Sequence, residues 1–484
     1  MPSLQLKSNS LFSNSFFIFV IRLFPSLANL LVLLYYSRHL PKPIYGTYQN
    51  FWIQLSFLYP IACFGIHAII TTYSVSTVLK LAQGVKKWQY ILYGVWLVVL
   101  SSLFAGLQNS STGIGFVIPF VFMLSFAVGI ILESFLIVAK NFKALSAINI
   151  LYAVCYLFVH KYVLDNGFSF LKLFTCLLSL NLARILISVV LIGVRIKQHS
   201  DDGHEEFRKV AEIRKLWMHL GFYDILQTLS NWVDKFIISV VLTSSLSAIY
   251  FNGTQNIPFL PIILSAAGSS VLMQMTKVKE ADERASLLAL MNRSTKFLSN
   301  IVFPLFFFLI FFRYELFDVL LPGYSASVPI FFVSLFMLPF RAYSFITVFQ
   351  KLHQGHISNI GAVGELILAC SLMYPLYLWL GLPGVMLSFI ISSYSQGVYY
   401  FYHMSRLLNT KPYKLVPVAN LTIKIIIYGL LFFIAHYIVT SFFGERNGLF
   451  IGIMTMVVTV VVSLLIDIIS VKNVHSKQAT VTGY

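Results

Sequence analysis

Residues Phe16 to Tyr36, FFIFVIRLFPSLANLLVLLYY, decide the fold class. This run carries one charge, Arg22, and crossing the hydrocarbon core of a bilayer as a helix takes about 20 such residues. A guanidinium near the middle costs roughly 2.5–3.5 kcal/mol on insertion scales. A chain keeps it where protein or water, and not lipid, surrounds the side chain. Asp234 with Lys235, and Arg341, repeat the pattern in later apolar runs. The reading is an all-α polytopic membrane protein with a polar interior.

Composition agrees. Of 484 residues, 58% are hydrophobic and 11% charged, with mean hydropathy +0.82. A water-soluble core cannot use that much apolar surface. Cys63, Cys155, Cys176 and Cys370 all fall in apolar runs without CxxC or Cys-His spacing. They read as small buried hydrophobes, not as disulfide or zinc positions, and no metal or cofactor is expected. The first apolar run is too long for a signal-peptide core and reads as a retained span.

Apolar stretches fall at 11–36, 44–72, 88–108, 114–138, 144–162, 170–193, 220–243, 248–275, 297–314, 326–350, 358–380, 383–405, 421–441 and 448–470. That is about fourteen transmembrane helices. Of the 34 Lys and Arg residues, 23 lie in the termini and in the loops on their side, five in the opposite loops and six within spans. Lys and Arg concentrate in cytoplasmic loops, so both termini are expected in the cytoplasm. The formal charge of +17 is thus topological, with attraction to membrane lipids secondary, and nucleic-acid binding is not needed to explain it. Two cytoplasmic stretches, 194–219 with Phe207, Val210, Ile213 and Trp217, and 281–296 with Leu287, Leu288 and Met291, have helical periodicity. They are expected to lie as amphipathic connectors on the headgroups.

The chain also matches itself at an offset of 205. Ile44-Tyr45 in LPKPIYGTYQN aligns with Ile249-Tyr250 in LSAIYFNGTQN, Asn29 with Asp234, and Arg22 with Gln227. A parallel repeat follows. It consists of a first six-helix bundle over 1–193, a linker over 194–219 and a second six-helix bundle over 220–405. Two further helices over 406–470 and a tail over 471–484 complete the chain.

The segments YYSRHLPKPIYGTYQNFW and FGIHAIITTYSV resemble the start of bacterial polysaccharide and O-antigen flippases. These belong to the multidrug/oligosaccharidyl-lipid/polysaccharide (MOP) exporter superfamily. NWVDKFIISVVLTSSLSAIYFNGTQNIPFLPII is similar to their seventh and eighth spans, and LFDVLLPGYSAS to their ninth-to-tenth connection. The external HLPKPIYG departs from their pattern in lacking the usual Gly of "LG". The resemblance implies transfer of a lipid-linked oligosaccharide, a polyprenyl pyrophosphate, from the cytoplasmic to the periplasmic leaflet of a bacterial inner membrane. A polysaccharide polymerase or other assembly proteins are its implied partners.

Such a cargo has an anionic, hydrated head. Deep cations suit it, because arginine's fork matches phosphate oxygens in pairs. Arg22, Arg184, Lys235 and Arg341 are the candidate lumen cations, with interhelical ion pairing as the alternative. Lys172 and Lys424 lie near span ends, where their stems can snorkel to the headgroups. Asn29, Gln49, Asn50, Gln255 and Asn256 form a candidate polar lining, or else bond helix to helix. Asp234, Glu133 and Glu365 are candidates for coupling to H⁺ or Na⁺. Neighbours on a helix point about 100° apart, so Asp234 and Lys235 are each expected to meet another span. His67 and His436 read as structural, and Pro258 with Pro261 makes span eight the best place for a bend.

Two other functions stay open at this stage. A drug or cation exporter of the same superfamily needs only twelve spans and an acidic lumen. A membrane polymerase or glycosyltransferase needs a substantial catalytic external loop, whereas the longest external loop here, 315–325, contributes Glu315 and Asp318, and the chain has no DxD.

Overall fold

The structure, a computed structural model, describes residues 8–72, 84–139, 141–198, 210–255, 283–343, 348–349, 352, 354–442 and 445–481. Each apolar stretch is mainly helical over its described part. In the first unit, Met1–Ala248, the helices are α1 (Ser8–His39), α2 (Lys42–Cys63), α3 (Ile66–Thr72), α4 (Lys87–Thr112), α5 (Val117–Val138), α6 (Phe142–Asp165), α7 (Phe170–Gln198) and α8 (Val210–Val241). Helix α9 (Ser244–Gly253) leads into the second unit, Ile249–Tyr484. That unit continues with α10 (Glu283–Phe311), α11 (Arg313–Leu320), α12 (Val328–Leu335), α13 (Met337–Arg341), α14 (Gly355–Leu380), α15 (Leu382–Leu407), α16 (Val418–Phe442) and α17 (Glu445–Val481).

Among the described residues, eight helices are long and apolar enough to cross a membrane, α4 to α7, α10, α14, α16 and α17. Helix α2 falls short because Thr47, Gln49, Asn50 and Gln54 dilute its hydropathy, and those residues are buried. Polarity hidden inside the protein, not shortness, lowers its hydropathy. Helix α2 begins with Pro43 in its first turn, where a missing N–H costs nothing.

The first unit is held by close packing. Helix α1 lies on α6, α5 on α7, and α2 along α8. At the centre, Phe51 of α2 stacks on Phe174 of α7 at 3.8 Å between ring centroids, with Phe104 and Phe122 edge-on at 5.1 Å. In lipid, such contacts stabilise by van der Waals fit, since leaving lipid tails for protein carries no hydrophobic gain. In the second unit α14 and α15 form a tight antiparallel pair, while α16 and α17 both pack on α10.

Three readings change. Residues 210–219 are not a separate surface connector, because α8 runs unbroken from Val210, and Trp217 packs against Phe64. Leu287 and Met291 do not lie on headgroups. They are buried in a cluster with Phe349, Tyr400, Met404 and Leu415, which draws the start of α10 into the unit. Of the four free cysteines, Cys63 is buried but Cys370 is exposed. Packing divides the chain after Ala248, and α8 falls with the first unit because its length lies along α2.

Candidate functional site

Where α2 meets α8 and the start of α9, polar contacts alternate with an aromatic stack. Gly46 sits where a Cβ would overlap the Ser244 carbonyl, so only glycine allows the approach. Beside it Thr47 Oγ1 lies 3.1 Å from Ser244 Oγ. Further along, Gln108 of α4 donates to Gln54 (2.7 Å), whose amide donates to Ser239 (3.2 Å), and Phe57 stacks on Phe236 at 4.1 Å. Gln49 and Asn50 are buried at 3% and 2% exposure. Gln49 Nε2 and Asn50 Oδ1 have no hydrogen-bond partner among the described residues. Orphaned amides buried in this way cost about 1–3 kcal/mol each. That cost suits a wall that meets water or hydroxyls in another state.

A second polar knot joins α1, α2 and α6. His160 is fully buried. Its Nδ1 faces the Tyr156 carbonyl at 2.7 Å, so the proton sits there. Nε2 then accepts from the Tyr48 hydroxyl at 3.1 Å, and Tyr48 in turn lies 3.2 Å from Tyr156 Oη. Tyr36 donates to the His160 carbonyl at 3.1 Å. Sequence reading passed over His160, although Tyr152, Tyr156 and His160 recur every four residues on one helix face.

The charged candidates separate by partner. Arg184 of α7 and Glu133 of α5 form an ion pair at 2.5 Å, with the guanidinium 5.1 Å from the Tyr152 ring centroid. This is the interhelical pairing that the sequence left as the alternative. Lys235 Nζ folds back to 3.3 Å from Asp234 Oδ2 and also donates to the Asn231 carbonyl. Neighbours on a helix do meet here, because the lysine stem is long enough to span the 100° between them.

In the second unit Glu365 accepts from Ser393 Oγ and, at 2.8 Å, from Gln396 Nε2, both on α15. Arg341, half-buried at the end of α13, has no hydrogen-bond or ion-pair partner among the described residues. Asn29 is exposed and Gln255 half-buried. The Arg22 side chain, Asn256 and the proline pair Pro258 and Pro261 lie outside the described residues.

Lys424 does not snorkel. It is buried, and its ammonium donates to the Lys296 carbonyl (2.8 Å) and to Ser299 Oγ (2.9 Å) on α10. Asn300, one residue on, donates to Asp467 of α17. Lys424 also lines a groove of about 620 Å³ between α16 and α17, whose walls include Ile427, Leu431, Met454, Val458 and Val462. His436 of α16 meets Glu315 of α11 at 2.8 Å.

These features sit in a fold shared with known transporters. The structure superposes on a lipid II flippase, MurJ, in an inward closed conformation with a TM-score of 0.65 and 15% identity, over 93% of this chain and 98% of that one. An inward-facing multidrug-resistance MATE transporter of the MOP superfamily follows at TM-score 0.56 and 14% identity, over 80% and 94%. The fold is one that these two transporters share. A family model described as "Polysaccharide biosynthesis protein" matches residues 91–323. Together they bear out the resemblance to the polysaccharide flippases of this superfamily. A MATE in the straight conformation superposes at TM-score 0.51 with 15% identity, over 82% and 94%. No curated protein matches the sequence.

Proposed function

We propose that the chain is a flippase that moves a polyprenyl-pyrophosphate-linked oligosaccharide from the cytoplasmic to the periplasmic leaflet of a bacterial inner membrane. Its work is alternating access between two bundles, residues 1–193 and 220–405, in the assembly of O-antigen, capsule or exopolysaccharide. The observation that carries this reading is the groove between α16 and α17. It is apolar for most of its length, has one cation at its edge, and is made by the two helices a twelve-span exporter lacks. An isoprenoid tail needs such a wall, and about 620 Å³ lies within the usual range of ligand pockets.

Arg341 supports the pyrophosphate end of the cargo. Arg184 is neutralised by Glu133, and Lys235 shares its charge with Asp234. Arg341 has no such anion among the described residues, so its fork is available to phosphate oxygens. Among the carboxylates, Glu365 suits ion coupling best because both of its hydrogen-bond donors are neutral. Glu365 is half-buried, and a carboxylate withdrawn from water without a cation beside it favours uptake of a proton or a metal cation. Moving one charge through a membrane potential contributes about 2.3 kcal/mol per 100 mV.

Reconstitution in liposomes with a labelled lipid-linked oligosaccharide tests the proposal. Leaflet transfer is expected from the wild type, with a loss of tenfold or more in Arg341→Ala and partial recovery in Arg341→Lys. Transfer unchanged by Arg341→Ala sinks the head-group assignment. The MATE likeness keeps drug or cation export as the second reading. Reduced drug accumulation in pump-deficient cells expressing the chain would favour it.

A further inference from the structure

Helix α2 does not run straight into α3. Phe64 turns into the left-handed region at φ 42 and ψ 50, and Gly65 follows at φ 70. Gly65 tolerates that conformation, whereas a bulky residue such as Phe64 is an outlier there and persists only when its surroundings impose it. One turn earlier Pro60, which has no N–H, already weakens the helix.

The surroundings that impose the break are identifiable. Phe64 N still reaches the Pro60 carbonyl at 3.0 Å, and Ile69 N restarts the helix on the Gly65 carbonyl at 3.0 Å. Two carbonyls at the break go instead to indoles. Trp217 of α8 donates to Phe64 O at 2.7 Å, and Trp96 of α4 donates to Ile61 O at 3.1 Å. The Trp217 ring also meets the Phe64 ring edge-on at 6.1 Å. Gly221 of α8 lies so close that a Cβ there would stand 2.9 Å from Phe64 O.

We propose that Phe64–Gly65 is a strained hinge in span two, kept bent by the Trp217 indole, so that displacement of α8 sets the direction of α3. The proposal rests on this geometry alone and holds whatever the cargo. When α8 withdraws, the Phe64 carbonyl loses its donor and the left-handed residue loses its support. The chain then gains by returning Phe64 to the helical region and continuing α2 into α3.

Opposite substitutions test it. Phe64→Gly removes the strain of the bent form and weakens a continuous helix, so it favours the bend. Gly65→Ala penalises the left-handed residue and favours the helix. Trp217→Phe keeps the ring and deletes the hydrogen bond. Spin labels at Thr71 of α3 and Lys87 of α4, both exposed, report the α3–α4 distance in nanodiscs by pulsed electron resonance. The background replaces Cys155, Cys176 and Cys370 by Ser and keeps buried Cys63.

The expected result is a roughly tenfold shift in population away from the wild-type distance in Gly65→Ala and Trp217→Phe, and a shift toward it in Phe64→Gly. Identical distributions in all proteins, or shifts of one sign in Phe64→Gly and Gly65→Ala, overturn the proposal. Should Trp217→Phe fail to fold, the Phe64 and Gly65 pair decides alone.

Discussion

Glu133 and Glu365 are both carboxylates set into apolar helices, and the two units treat them in opposite ways. In the first unit Glu133 is held by Arg184 at 2.5 Å. In the second, Glu365 is held by a hydroxyl and an amide. The first arrangement sets a cation against the carboxylate. The second supplies neutral donors only, among the described residues. Depth in the membrane therefore does not decide how a carboxylate is held.

The comparison breaks most sharply if the pair in the first unit is split. Arg184→Ala leaves Glu133 unpaired among α5 and α7 and should cost about 3 kcal/mol, read as a fall in thermal unfolding temperature in detergent. The double change Arg184→Met with Glu133→Gln removes both charges and should recover most of that loss. A single mutant as stable as wild type would show that the pair is not structural.

In the second unit Gln396→Leu removes one neutral donor and should cost about 1 kcal/mol by the same measurement. A loss as large as that of Arg184→Ala would erase the distinction between the two sites. The smallest effect is expected from Glu365→Gln, within about 0.5 kcal/mol, because the replacement still accepts from Ser393. Its consequence should appear instead in transport, as loss of dependence on an imposed H⁺ or Na⁺ gradient. Retained gradient dependence would move the coupling role elsewhere.

Span lengths made the helical architecture readable from the sequence, since the bilayer fixes them. Tyr45 and Tyr250, aligned by the repeat offset, are both buried. Partners were not legible. Nothing local to Arg184 points to Glu133, 51 residues away on another helix. Lys424 was misread because distance from a span end says nothing of the carbonyl and hydroxyl that α10 offers it. Asn29 and Asp234 share a repeat position, yet one is exposed and the other 3% exposed, because a repeat preserves helix layout more than side-chain surroundings.

The attachment of α16 and α17 to α10 has a genealogical consequence. Ser299 and Asn300 are 0% and 1% exposed, and their side chains meet Lys424 and Asp467 of the added pair. A lineage that shed those two helices would bare this polar strip to hydrocarbon, so deletion alone would be penalised until positions 296–300 turned apolar.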